Sequence, residues 1–297
     1  MTMVDPIGRI KVLIRTICSF DQRLRTIQEA LGRIEARQNG KEEGGGINDH
    51  EFKVYSQWGE DGIIQFLLRH VEIRNNIFVE FGVENYLEAN TRFLLVNNNW
   101  SGLVIDGDPA NVSIIKSDPI YWRHNLKADC AFVTKDNINE LLKRNGISGD
   151  VGLLSVDVDG NDYWVWKEID AISPRIVVIE YNSRFGADRA VTVPYDASFV
   201  RRRAHHSMIY FGASLRALVN LGKKKGYSFV GCNEHGVNAF FVRSDLLVKP
   251  LQEVTAEKGY VAGKYREARD TRGCLSYISS DDEKTILDKL PLVELTD

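Results

Sequence analysis

Residues 77–82 read Ile-Phe-Val-Glu-Phe-Gly, a short apolar run that ends in an acid and a glycine. Three similar runs follow, each ending in an acidic residue, at 102–106, 152–157 and 175–180. Helical patterns separate these runs, as a parallel sheet covered on both faces requires. Other strands are expected at 131–134, 227–232 and 238–243, and a helix at 138–143. The sequence therefore predicts a doubly wound α/β fold with a mostly parallel sheet.

The first forty residues follow a different pattern. Apolar residues recur there in steps of three and four, at Ile10, Leu13, Ile17, Phe20, Leu24, Ile27, Leu31 and Ile34. This heptad pattern predicts a helix over 1–38 that pairs with another helix, so we expect a homo-oligomer formed by a coiled coil. Packing on its own domain remains an alternative, and the net positive charge of the segment leaves a membrane-surface role as another.

The remaining boundaries follow from composition. Glycine and charged residues at 39–50 predict a flexible linker, because they cannot bury a core. The folded domain is expected over 51–245, followed by a polar C-terminal extension over 246–297.

Bulk composition excludes several classes of protein. The 297 residues carry a net charge of −3, which argues against nucleic-acid binding. The sequence contains no run of 18 apolar residues, so we expect no membrane span. The four cysteines are widely separated, which favours reduced thiols over disulfides or a zinc site. We expect a cytoplasmic protein.

The strand ends are the predicted site of chemistry. In open α/β sheets ligands bind beyond the carboxyl ends of the strands. Four predicted strands deliver acids to that edge, namely Glu80, Asp106, Asp157 and Glu180. A purely structural role would require a partner for each buried acid, so we favour function.

The first two strand ends resemble the cofactor site of class I S-adenosylmethionine (SAM)-dependent methyltransferases. Glu80-x-Gly82 is similar to the opening of their SAM motif, which implies that Glu80 lies near the methionine end of SAM and that Gly82 lets the backbone approach the cofactor. Asp106 resembles the acid that binds the ribose hydroxyls, and Asp108 is a rival for that role. The later glycines are replaced by residues 84–86, which nearly excludes a dinucleotide.

Two further elements resemble the FkbM-type methyltransferases. Residues 55–61, Tyr-Ser-Gln-Trp-Gly-Glu-Asp, are similar to that family's Ser-Gln-x-Gly-Glu-Asp element, and residues 157–160 to its Asp-x-Glu-Gly element. The resemblance spans about 55 to 245 and implies a Rossmann-like methyltransferase fold with an antiparallel last strand. It implies that Ser56 and Gln57 contact the cofactor. A simple helix cap by Ser56 is the alternative.

The last two strand ends resemble those of divalent-metal-dependent O-methyltransferases. The resemblance implies a metal site of Asp157, Asp159, Glu180 and Asn182, and oxygen ligands suit a Mg²⁺-like ion. Gly160 replaces the lysine that those enzymes often use as a base, and Tyr181 separates the acid from the amide.

The segment after the last of these strands offers a replacement base. His205 or His206 is expected to take the acceptor proton, with Asp157 as a further catalytic residue. The arginine triplet 201–203 either holds an anionic acceptor or is a solvated charge run. The predicted activity is O-methylation of a sugar, glycan or other small-molecule hydroxyl. A metal-independent N-methyltransferase and a degenerate binding fold remain alternatives.

Overall fold

The computed structural model of the protein describes residues 6–41 and 45–296. Its centre is a seven-stranded sheet in the order β3-β2-β1-β4-β5-β8-β7. The strands are β1 (Ile77–Phe81), β2 (Ser101–Asp106), β3 (Leu126–Cys130), β4 (Gly149–Val156), β5 (Ile172–Glu180), β7 (Tyr227–Cys232) and β8 (Asn238–Arg243). The first five strands are parallel, and β8 runs antiparallel to both its neighbours. This confirms the predicted Rossmann-like α/β fold, with a mostly parallel sheet and an antiparallel last strand.

The helices alternate with the strands and cover both faces of the sheet. They are α1 (Pro6–Asn39), α2 (Glu60–His70), α3 (Arg92–Asn97), α4 (Pro109–Ser117), α5 (Pro119–Arg123), α6 (Ile138–Arg144), α7 (Asp162–Glu168), α8 (Arg201–Ala204), α9 (Leu215–Lys224), α10 (Ala256–Gly259) and α11 (Ser280–Leu287). Prolines begin α4 and α5, where a missing backbone N–H costs nothing. No helix in the described ranges combines the length and apolar character needed to cross a bilayer.

Two apolar layers hold the sheet between the helices. Because successive side chains of a strand point to opposite faces, Phe78 packs into one layer and Val79 into the other. Leu153 and Leu154 of β4 divide in the same way. Burial on both faces explains why these strands have nearly continuous apolar sequences.

The strand predicted at 131–134 was wrong. The chain at the end of the sheet is Leu126–Cys130, in register with Gly102 to Asp106 of β2. This edge strand has alternating buried and exposed residues, so its sequence lacks the apolar run of the inner strands.

The N-terminal helix is present, as predicted, over Pro6–Asn39. Residues 42–44 of the predicted linker lie outside the described residues. Residues 47–50 of that segment pack on the domain, because Ile47 and His50 are buried and the Asn48 side chain donates to the Cys232 carbonyl. The folded body therefore begins before residue 51.

The predicted C-terminal extension packs on the same body. Its strand β9 (Val293–Glu294) pairs with β6 (Val191–Thr192) in a small second sheet. Ala268 and Leu287 lie in a buried cluster with Val191 and Phe211. Nothing in the polar sequence of 246–297 had indicated this packing.

Candidate active site

The carboxyl ends of β1, β4 and β5 meet at one edge of the sheet. Phe81 is in register with Val156, and Val156 with Ile179, so the residues that follow these positions are neighbours. Gly82 has φ +70° and a Cβ there would overlap the carbonyl oxygen of Asp157. Only glycine allows this close approach. A cavity of about 430 Å³ opens beside it.

Glu80 lines this cavity but is occupied by its own protein. Its two carboxylate oxygens accept hydrogen bonds from the backbone of Asn90 and Thr91 and from the hydroxyls of Thr91 and Ser155. Burial raises the pKa of Glu80, and these hydrogen bonds oppose the rise. Glu80 therefore fixes the loop after β1, a role that the sequence did not indicate.

The end of β2 distinguishes the two predicted ribose acids. Asp106 is 7% exposed, and its Oδ1 accepts from the Asp108 backbone at 2.8 Å and the Asn111 amide at 3.1 Å. Asp108 is exposed and caps α4 by accepting from the Ala110 backbone. The described hydrogen bonds of the Asp106 side chain involve Oδ1, whereas Asp108 caps its helix, and neither residue is among those that line the cavity.

The 55–61 element is mainly structural. Ser56 is fully buried and donates to Asp61, whose Oδ2 also accepts from the Val54, Tyr55 and Ser56 backbones. Ser56 was expected to contact a cofactor, but it does not line the cavity. Gln57 and Trp58 do.

Glu60 of the same element ties α2 to the far side of the sheet. It accepts hydrogen bonds from the side chains of Asn233 and Asn238 and from the Trp58 backbone. These contacts hold Trp58 at the β8 end of the cavity, since Asn238 is in register with Glu180.

Three carboxyl groups converge at the ends of β4 and β5. Asp157, Asp162 and Glu180 each offer an oxygen, and these oxygens all lie within 4.8 Å of one another. The Oε2 atom of Glu180 is buried and has no hydrogen-bond partner. Such a cluster in a buried place favours a bound cation, because like charges otherwise repel.

The electrostatics of these acids reflect this crowding. Burial, and then the charges of Asp159 and Asp162, raise the pKa of Asp157 well above its ordinary value. Burial, and then Asp157, do the same to the pKa of Glu180. Burial also raises the pKa of Asp162 to about 6, although the Val158 and Gly160 backbones donate to it.

Asn182 does not join this cluster. It is fully buried, and its amide donates to the Ile209 and Phe211 carbonyls, while its Oδ1 accepts from the Arg184 backbone. These bonds hold the chain after β5. Asp162, which the sequence reasoning did not single out, is the third carboxylate instead.

Asp159 also differs from its predicted role. It is an exposed residue with φ +57°, and its carboxylate forms an ion pair with Arg201 at 3.0 Å. Two other non-glycine residues that line the cavity, Glu84 and Met208, have positive φ as well. Such conformations tend to cluster at functional sites.

Arg201 is the buried cation of the site. It donates to Asp159, Glu267 and the Met208 carbonyl, and its guanidinium lies 3.6 Å from the Phe211 ring centre. Burial lowers the pKa of Arg201, but the charges of Glu180, Glu267 and Asp159 outweigh this and raise it. The sequence analysis expected the arginines at 201–203 either to hold an anionic acceptor or to be solvated. Arg201 does neither, because it pairs with acidic residues of its own chain. Arg202 lines the cavity beside it.

The two histidines lie away from the described cavity lining. His205 Nδ1 is 2.6 Å from the Ser207 hydroxyl, and the rings of His205 and His206 are 4.2 Å apart. Burial, and then His206, lower the pKa of His205. The lining residues do not include either histidine, so the geometry does not support them as the base.

An aromatic group forms the β8 side of the cavity. Trp58 stacks on His235 with ring centres 4.1 Å apart, and Tyr265 lies 6.2 Å from Trp58. Tyr265 and Glu267 come from the C-terminal segment, which is anchored where the Tyr260 hydroxyl donates to the Ser183 carbonyl. No sequence pattern points to these two residues, because only the folding of the C-terminal segment onto the domain brings them to the cavity.

No protein-family model matches the chain, and no curated protein matches it. Among solved structures it resembles the N-terminal domain of EvdMO1 with S-adenosylhomocysteine (SAH) bound, at 10% identity over 64% of this chain and 81% of that one, with a TM-score of 0.41. It also resembles an O-methyltransferase from Bacillus cereus in complex with SAH, at 13% identity over 73% and 89%, with a TM-score of 0.40.

Proposed function

We propose that the protein is a SAM-dependent O-methyltransferase that acts on a sugar or glycan hydroxyl with the help of a divalent metal ion such as Mg²⁺. The observation that carries the proposal is the carboxyl edge of the sheet. There a glycine turn and Asp106 lie on one side, and three converging carboxyl groups, one with an unpartnered oxygen, lie on the other.

The β1–β2 side fits the cofactor. Gly82 keeps the turn free of a side chain, so a ligand can approach the backbone. Asp106, whose Oδ1 already accepts from its own protein, would offer its other carboxylate oxygen to the ribose hydroxyls. Phe132, which is 47% exposed, lies beside Gly107 and offers an aromatic face to adenine. SAM would supply the electrophilic methyl group.

The β4–β5 side fits a hard cation. Asp157, Asp162 and Glu180 supply only oxygen atoms, and the unpartnered Oε2 of Glu180 needs a positive partner. A bound Mg²⁺ would lower the pKa of the acceptor hydroxyl. Three carboxylates leave room for waters or an acceptor among the six ligands of such an ion.

The chain's own residues would handle orientation and the proton. We assign the base to Asp157 rather than to His205 or His206, because Asp157 lines the cavity and neither histidine does. Arg201 would hold Asp159 and Glu267 in place and balance the charge of the acids.

The acceptor half of the cavity supports a sugar. Trp58 and Tyr265 give it an aromatic wall, while Arg202, Gln57 and Glu267 give it hydrogen-bonding groups. A pyranose ring has an apolar face for stacking and hydroxyls for charge-assisted hydrogen bonds. The same chemistry would suit a sugar within a larger glycan.

A methyltransferase without metal is the second candidate. Arg201 favours it, because its guanidinium already interacts with Glu180 and pairs with Asp159. In that case Arg201 would take the place of the ion in balancing the acids, and Asp157 would act as an unaided base.

Calorimetry with SAM tests the cofactor assignment. Asp106→Ala should weaken SAM binding by about 1.5–3 kcal/mol, since a charged hydrogen-bond acceptor is lost. Asp108→Ala should change it little, because Asp108 only caps α4. The absence of heat with the wild-type protein would instead favour a degenerate fold that binds a partner.

Titration with Mg²⁺, followed by calorimetry with and without SAM, tests the metal. Mg²⁺ binding should be lost in Glu180→Gln. It should be retained in Asn182→Ser, because Asn182, although predicted from the sequence as a ligand, forms hydrogen bonds with the chain after β5 instead. Methyl transfer to a panel of sugars with and without chelator distinguishes the two candidates. Full turnover in chelator would exclude the metal and leave the cofactor assignment intact.

A further inference from the structure

Helix α1 presents a continuous apolar stripe to solvent. We call this stripe the seam; its described side chains are between 49% and 62% exposed, and they are Ile10, Ile17, Phe20, Leu24, Ile27, Leu31 and Ile34. They follow the steps of three and four that place residues on one side of a helix. A single exposed apolar residue needs no explanation, but a stripe of this length does.

The protein's own domain covers a different face of the helix. Gly32 lies against Val54 and Phe93, and Ala36 is buried. Glu29 accepts a hydrogen bond from the Tyr55 hydroxyl at 2.6 Å. In the heptad of the seam these helix residues occupy the b and f positions, whereas the seam occupies a and d. Packing on the domain therefore leaves the seam uncovered.

We propose that the seam pairs with the seam of a second copy, in a parallel two-stranded coiled coil. A surface that repeats its own apolar spacing is complementary to itself, as a two-fold interface requires. The described contacts of α1 with the domain come from its C-terminal half, and a helix in a protein gains most of its stability from the packing of its apolar face. A second copy supplies that packing along the whole helix.

The flanking residues favour two parallel strands. Gln28, at the e position beside the seam, already donates to the Val54 carbonyl of its own domain. The surface left for a second helix is therefore limited to the a and d positions, as in a two-stranded coiled coil. A fully overlapped antiparallel pair would bring the Arg23 residues of both copies together. A parallel pair sets Arg23 against Gln28 and Ala30 against Glu35, with no like charges opposed.

Sedimentation velocity on the full chain tests the proposal. The wild-type protein should sediment as a dimer of the 33.7-kDa chain. A double variant, Leu24→Asp with Ile27→Asp, should shift to the monomer mass, because it introduces charge into the seam. Both side chains are about half exposed in one copy, so circular dichroism should show the domain intact.

The matched control adds the same charges off the seam. Gln22→Asp with Thr26→Asp changes two exposed residues of the same helix and should remain dimeric. A monomeric wild-type protein, a dimer that survives the seam variant, or a trimer or larger assembly would each overturn the proposal.

A cysteine at the seam tests the direction of the strands. Leu31→Cys should form an intermolecular disulfide on oxidation, since parallel strands place this residue about 6 Å from its own copy. The control Thr26→Cys, which points away from the seam, should not crosslink beyond the wild-type level. An antiparallel pair would separate the Leu31 residues by more than about 20 Å and give no crosslink, which contradicts the parallel arrangement.

Discussion

The two halves of the sheet's carboxyl edge use the same kind of residue in opposite ways. At the end of β1, Glu80 is buried with four hydrogen bonds from its own loop. At the end of β5, Glu180 is equally buried, yet one oxygen has no partner and two aspartates crowd it. An acid that ends a strand can therefore either hold the protein together or be kept for a ligand. The partners around it decide which.

We expect the acid at the end of β1 to contribute to stability and the acid at the end of β5 to contribute to ligand binding. A buried carboxylate with complete hydrogen bonding stabilises the fold, while an unpartnered one costs stability until a cation binds. The first half of the edge should thus respond to mutation as a structural element. The second half should respond as a ligand site.

The largest effect is expected where the two halves join. Gly82→Ala should lower the free energy of unfolding by about 3–5 kcal/mol. The new Cβ would overlap the Asp157 carbonyl, and the alanine would have to keep the left-handed backbone conformation of residue 82. Gly149 is the matched control, since it has a similar φ of +71° and open space around it. Gly149→Ala should cost only about 1–2 kcal/mol in the same denaturant titration. Equal losses would show that the close approach is unimportant.

The next test exchanges one acid for its amide in each half. Glu80→Gln should destabilise the protein by about 2–3 kcal/mol, because an amide nitrogen cannot accept the hydrogen bonds that its loop donates. Glu180→Gln should leave stability within about 1 kcal/mol of the wild type or raise it, since it removes a crowded charge. Denaturant unfolding in chelator measures both. A greater loss from Glu180→Gln would reverse our comparison.

The smallest effect is a dependence on pH. The folded-state pKa of Glu180 lies above its unfolded value of 4.5, so the unfolded state loses this proton first as the pH rises. The wild-type protein in chelator should therefore lose stability relative to Glu180→Gln as the pH rises above about 4.5. Thermal unfolding from pH 4 to 8 measures this difference in stability between the wild type and Glu180→Gln, and added Mg²⁺ should reduce the difference. A gap that shrinks as the pH rises would contradict the raised pKa.

Much of the fold could be predicted because it follows from local patterns. The runs at 77–81, 227–232 and 238–243 match β1, β7 and β8, and the helix predicted at 138–143 corresponds to α6. The edge strand β3 was missed, since a strand with one exposed face has no continuous apolar run. The packing of 246–297 was missed because its few apolar contacts are made with distant residues.

The sequence by itself determined which residue types end the strands, because the order of apolar and acidic residues fixes both the sheet and its carboxyl edge. It also determined the spacing of the seam on α1. Only the tertiary structure decided the role of each acid. Glu80 received partners from residues 90, 91 and 155, Asn182 was taken by two carbonyls, and Asp162 and Arg201 moved to the centre of the site. Hydrogen-bond partners and burial depend on residues far apart in the chain, so no local pattern records them.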